Sequence, residues 1–96
     1  MTDGNTNSVL SRTETILNQK GLHARAAARF AETVSLFEAD VNVTKDGQTV
    51  SGKSIMGLMM LAASPGSTIL IEASGRDASA VLKALSGLVQ TRFGED

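Results

Sequence analysis

The chain has 96 residues, 42% of them hydrophobic, which is enough for one domain with one core. Its formal net charge of −1 offers no attraction to nucleic acid or anionic lipid, and three Phe with no Tyr or Trp make no platform for stacking bases. The absence of cysteine excludes disulfides, thiolate nucleophiles and cysteine metal centres.

Residues 1–11 (MTDGNTNSVLS) are polar and read as a flexible N-terminal tail, leaving residues 12–96 as the folded domain. They lack the basic start and apolar centre of a signal peptide, and no apolar run reaches membrane-spanning length, so a soluble cytoplasmic protein is expected. Arg12 to Gln19 reads as a strand of β-branched character, closed by Lys20-Gly21. A helix is predicted from about Ala24 to Phe37, with Ala27, Phe30, Ala31, Val34 and Phe37 on one stripe and Leu22 stapling its start. Ala39 to Thr44 alternates, Val41 and Val43 inward, and Asp46-Gly47 signals a tight hairpin into a strand from Gln48 to Ser51.

The next segment is apolar on all sides. Ser54 is a candidate N-cap, and Pro65-Gly66 is the predicted stop of the helix. Leu58 and Leu61 can share an inward face, which leaves Ile55, Met56 and Met59 toward solvent as a docking surface. Ser67 to Ser74 is the strongest strand, with Ile69 and Ile71 on one side and Leu70 and Glu72 on the other. A last helix is predicted from about Asp77 to Arg92, burying Ala78, Val81, Leu82, Leu85, Leu88 and Val89. The order βαββαβα implies an α+β domain, a four-stranded, mainly antiparallel sheet with helices on one face.

The chemistry gathers at Gly21-Leu22-His23-Ala24-Arg25-Ala26, which holds the only histidine. Gly21 lets the loop aim the ring. The backbone N–H groups of Ala24, Arg25 and Ala26 open a helix and lack intrahelical partners. The positive helix end disfavours imidazolium and favours an anion, and Arg25 adds a planar cationic fork. A neutral imidazole beside an anion site suits phosphoryl transfer, which rests on positioning and charge neutralisation and needs no metal ligand or cofactor from this chain. The plainer alternative for His23 is a surface cap, and for Ser54 an N-cap worth about 1 kcal/mol.

Gly21-Leu22-His23-Ala24-Arg25 closely resembles the active-site signature of the HPr family, the histidine phosphocarriers of the phosphoenolpyruvate-dependent phosphotransferase system. Lys53 to Met59 (KSIMGLM) resembles that family's second signature, around its regulatory serine, at the family's separation. The resemblance spans about residues 12 to 93 and implies the HPr-like open-faced β-sandwich. It further implies that His23 accepts a phosphoryl group on Nδ1 from enzyme I and passes it to a IIA-type protein, with Arg25 neutralising charge. Ser54 then matches the target of HPr kinase/phosphorylase, and Ala28, Ile55, Met56 and Met59 match the docking face. Many members have proline where this chain has Ala26, which keeps an N–H at that point. Ala26 and the Met-rich run Met56 to Met60 are more similar to the branch coupled to nitrogen regulation than to the sugar-uptake branch.

Two other functions fit the element order. An RNA-binding or small-ligand module of ferredoxin-like form would need basic and aromatic residues on the open sheet face. A purely regulatory member would bind partners without using His23. Gly47 to Ser54 also satisfies the bare nucleotide P-loop pattern, but Gly47 belongs to a hairpin turn and residues 48–51 to a strand.

Overall fold

The computed structural model describes residues 8–95 of the chain. Its elements are β1 (Leu10–Thr15), α1 (Ala24–Ser35), β2 (Asp40–Lys45), β3 (Gln48–Ser51), α2 (Ile55–Met60), β4 (Thr68–Ser74) and α3 (Ala78–Gln90), followed by a 3-10 turn, Arg92–Gly94. The sheet order is β1-β4-β2-β3 and all three pairings are antiparallel. The helices cover one face, the open-faced sandwich expected from the sequence.

Alternation places the core. Val41, Val43, Ile69, Ile71 and Ala73 are buried on the covered face, against Phe30, Val34, Val81, Leu85 and Val89 of α1 and α3. Each of the Val, Ile, Leu and Phe side chains contributes roughly 1.5–3 kcal/mol by leaving water. The β2–β3 hairpin turns through Asp46 (φ 51) and Gly47 (φ 81), the two left-handed residues that an Asp-Gly turn supplies. The open face, by the same register, carries Thr13, Thr15, Thr44, Thr49, Leu70 and Glu72. Among the described strand residues it presents no aromatic ring, lysine or arginine, the side chains a nucleic-acid module of this form would carry there.

Several boundaries differ from expectation. β1 starts at Leu10, taking two residues from the expected tail, and ends at Thr15 rather than Gln19; residues 1–7 of that tail lie outside the described residues. The covered face of β1 carries Arg12 and Glu14, with Leu10 its one apolar residue at the start of the strand. Ser86 of α3 accepts from Arg12 Nη1 at 3.0 Å and donates to the buried Glu14 carboxylate. That hydroxyl supplies a hydrogen bond to a polar group which burial would otherwise leave unpaired. α1 closes at Ser35 and α3 at Gln90, each two residues early.

The largest departure is α2. It ends at Met60, well before Pro65-Gly66, because Ala62 turns left-handed (φ 53) and its N–H caps Met59 C=O at 3.0 Å. Ser54 is the N-cap, its Oγ accepting from Gly57 N–H at 2.9 Å. Leu58 and Leu61 are buried, whereas Met56 is 74% exposed.

Candidate functional site

The site is the junction of the β1–α1 loop, the start of α1 and the segment after α3. Asn18 to Gly21 forms a turn closed by Gly21 N–H on Asn18 C=O at 3.1 Å. The turn then docks on the loop after α2, with Leu22 N–H donating to Ala63 C=O at 2.9 Å. Leu22 is buried in the core as a staple. His23 occupies the N-cap position of α1 in extended conformation (φ −77, ψ −177), and its side chain caps nothing. The helical ladder starts with Ala27 N–H on His23 C=O at 2.8 Å, so the N–H groups of Ala24, Arg25 and Ala26 precede it. The ring stands at the positive end of a twelve-residue helix.

Its principal partner has no signal in the local sequence. His23 Nε2 lies 2.8 Å from Oε1 of Glu95, and Asn18 Nδ2 donates to the same oxygen at 3.0 Å. Glu95 arrives there because the chain after α3 turns back through Arg92 (φ 59), Phe93 (φ 55) and Gly94 (φ 74). Phe93 is buried in the core, and Arg29 of α1 donates to its carbonyl. The Glu95 carboxyl is held below its ordinary value of 4.5, mainly by the hydrogen bond from His23 and against the loss of solvation, with Asn18 and the Arg25 charge adding to it. At neutral pH Glu95 is therefore an ionised acceptor. In the neutral ring Nε2 then carries the proton, and Nδ1 keeps the lone pair.

One shallow cleft borders the ring and a second lies beside it, at Glu95. The first, about 210 Å3, is lined by Lys20, Leu22, His23, Ala62, Ala63 and Ser64. The other, about 190 Å3, is lined by Gln19, Lys20, Arg25 and Glu95. Arg25 is exposed and shares its cleft with Glu95, and Lys20 borders both clefts, a second cation that the sequence pattern did not single out. Ala26 is fully buried and belongs to the core cluster. The residues expected to form a docking face lie elsewhere on the surface. Ala28 and Ile55 border an open groove of about 720 Å3 between α1 and the start of α2, together with Leu36 and Lys53, while Met56 and Met59 are exposed on α2. Ser54 stands at the start of that same helix, outside the His23 clefts.

Comparison with known proteins agrees with the geometry. The family described as "PTS HPr component phosphorylation site" matches residues 10–91. The phosphocarrier protein HPr of Neisseria meningitidis is 47% identical over 87 residues, covering 91% of this chain and 98% of that protein. The phosphocarrier protein NPr of Shewanella violacea is 41% identical over 86 residues, covering 90% and 94%. A crystal structure of HPr-C-His from Thermoanaerobacter tengcongensis superposes with a TM-score of 0.87 at 42% identity, covering 91% of this chain and 98% of that one. With the family's phosphorylation-site pattern running through β1, the His23 loop and all three helices, the chain belongs to the HPr family of the phosphotransferase system.

Proposed function

We propose that this chain is a phosphocarrier in which His23 takes a phosphoryl group from phospho-enzyme I and hands it to a IIA-type protein. One observation carries the reading: His23 is solvent-reachable at the opening of α1, its Nε2 committed to Glu95 and its Nδ1 left to attack. The Nδ1 lone pair forms the new N–P bond as the donor's own bond to phosphorus breaks and its electron pair returns to the donor. The N–H groups at the start of α1 and the Arg25 guanidinium offset the incoming negative charge. The open clefts support a carrier rather than a stand-alone catalyst. They leave the far side of the phosphoryl group to the partner, so the group is held without being trapped. The chain works in the cytoplasm on this reading, and among its described residues no helix is long and apolar enough to cross a membrane.

The test is incubation of the chain with phosphoenolpyruvate and enzyme I of the sugar type and of the nitrogen type. One phosphate per chain should appear, acid-labile and base-stable, and His23→Ala should take none while melting as wild type does. A stable phosphate that survives His23→Ala would sink the assignment.

Ser54 is the proposed regulatory position, open to HPr kinase/phosphorylase. Phosphate there adds about two negative charges beside the exposed Ile55 and Met56, on the face proposed to meet enzyme I together with Ala28 and Met59. Ser54→Asp is expected to slow uptake from enzyme I by about tenfold or more, because a charge desolvated without a partner opposes docking. Ser54→Ala should transfer normally and lose only the cap, about 1 kcal/mol in a thermal melt. Equal uptake rates for Ser54→Asp and wild type would remove Ser54 from the docking face.

A further inference from the structure

The chain Asn18–Glu95–His23 goes beyond what a phosphoryl-accepting ring requires. Asn18 is fully buried, and its Nδ2 has two acceptors, Gly21 C=O at 2.8 Å and Glu95 Oε1 at 3.0 Å. Its Oδ1 is buried with no partner among the described residues. A flipped amide would set that oxygen against a carbonyl and a carboxylate, so the orientation is forced by the two donations, and the orphaned oxygen is what that orientation costs. The side chain is thus committed to holding Glu95 where Nε2 meets it.

Resting on the phosphocarrier reading, we propose that Glu95 is a positioning residue which, held by Asn18, keeps the proton on Nε2 of His23 throughout transfer.

The chemistry requires that proton twice. When the Nδ1 lone pair binds phosphorus and the donor's bond breaks, the ring becomes cationic, because Nε2–H stays in place. The Glu95 carboxylate lies against that charge. When the acceptor's nucleophile attacks, the N–P bond breaks and its electron pair returns to Nδ1. A ring that still holds its Nε2 proton then leaves as neutral imidazole. A ring that has lost the proton must leave as imidazolide, a far poorer leaving group. Lys20 and Arg25, the cations lining the adjoining clefts, and the positive end of α1 all favour losing the proton. Of the charged side chains lining the clefts at the ring, Glu95 alone opposes them.

The experiment uses the full chain, phosphorylated by enzyme I, in wild type, Glu95→Gln and Glu95→Ala, each checked by thermal melting. Release of phosphate to a IIA protein is followed from pH 6 to pH 9, with Nε2–H and the Asn18 amide read by proton–nitrogen correlation spectra. In wild type release should change little with pH. In Glu95→Ala it should match wild type near pH 6 and fall about tenfold by pH 9, with the Nε2 proton exchanging at least tenfold faster with water. Glu95→Gln keeps an acceptor but no charge, so it should follow the pH profile of Glu95→Ala. The Asn18 amide signal should shift in both variants. Wild-type profiles in the variants overturn the proposal, and an unmoved Asn18 signal overturns the holding role of Asn18. If wild type itself takes no phosphate on His23, the carrier reading fails first, which is a separate result.

Discussion

Gly21→Ala is expected to destabilise the domain by about 3 kcal/mol or more and to disable the His23 site with it. Gly21 is left-handed at φ +61, and a Cβ built on it would lie 2.2 Å from Ala63 O and 3.1 Å from Ser64 Cα. Both are backbone atoms, so no side chain can swing aside. Neither strand of the contact is free to move. Ala63 O already accepts Leu22 N–H, Gly21 N–H is held by Asn18 C=O, and Gly21 C=O by Asn18 Nδ2. Relief of the clash must break at least one of those bonds, and all of them fix the approach to His23. For a domain of this size the midpoint of thermal unfolding should fall on the order of 15 °C. Gly47→Ala is the control. Gly47 is also left-handed, at φ +81, but has nothing within 4 Å, so it loses only the conformational term, roughly 1–2 kcal/mol. If the two variants melt together, the contact with Ala63 is not what makes Gly21 necessary.

β2 could be read because Val41 and Val43 alternate with polar residues on a sheet with one wet face, and β4 because the β-branched run Thr68-Ile69-Leu70-Ile71 is short and bounded by turn residues. β1 was misplaced because its covered face holds Arg12 and Glu14, which a hydrophobic pattern assigns to solvent, and because the apolar pair Ile16-Leu17 follows the strand. Only Ser86, 72 residues from Glu14, shows why those charges turn inward. The end of α2 was hidden for a related reason. The left-handed residue that stops it is alanine, while the loud Pro65-Gly66 signal lies further on. Ala62 sets the path of Ala63, and Ala63 in turn crowds Gly21.

At the site, His23, Arg25 and the helix start were legible because turn, N-cap and amphipathic run are neighbours in sequence. Asn18 was absorbed into a strand and Glu95 into an acidic end, because their meeting depends on a reversal through Arg92 and Phe93 that no local preference announces. Left-handed backbone at two successive non-glycine residues is uncommon and survives where the surroundings impose it. Here the surroundings are the core socket of Phe93 and the Arg29 donation to its carbonyl.

Phe93→Ala should therefore have two effects at once. Emptying a fully buried aromatic site costs about 3–5 kcal/mol, seen as a large drop in the denaturation midpoint. It also removes the anchor that returns the chain to α1, so Glu95 should leave His23, and the Nε2 proton should lose its protection in the fraction that remains folded. Phe93→Leu retains much of the apolar volume and should keep both the fold and the Glu95 contact, at a cost of about 1–2 kcal/mol. Glu95→Ala separates the two effects in the opposite sense, since it deletes the carboxylate and leaves the core intact. Stability that falls in Phe93→Ala while the Nε2 proton stays protected would mean that Glu95 is held by Asn18 alone. The buried ring would then support the core without serving the histidine.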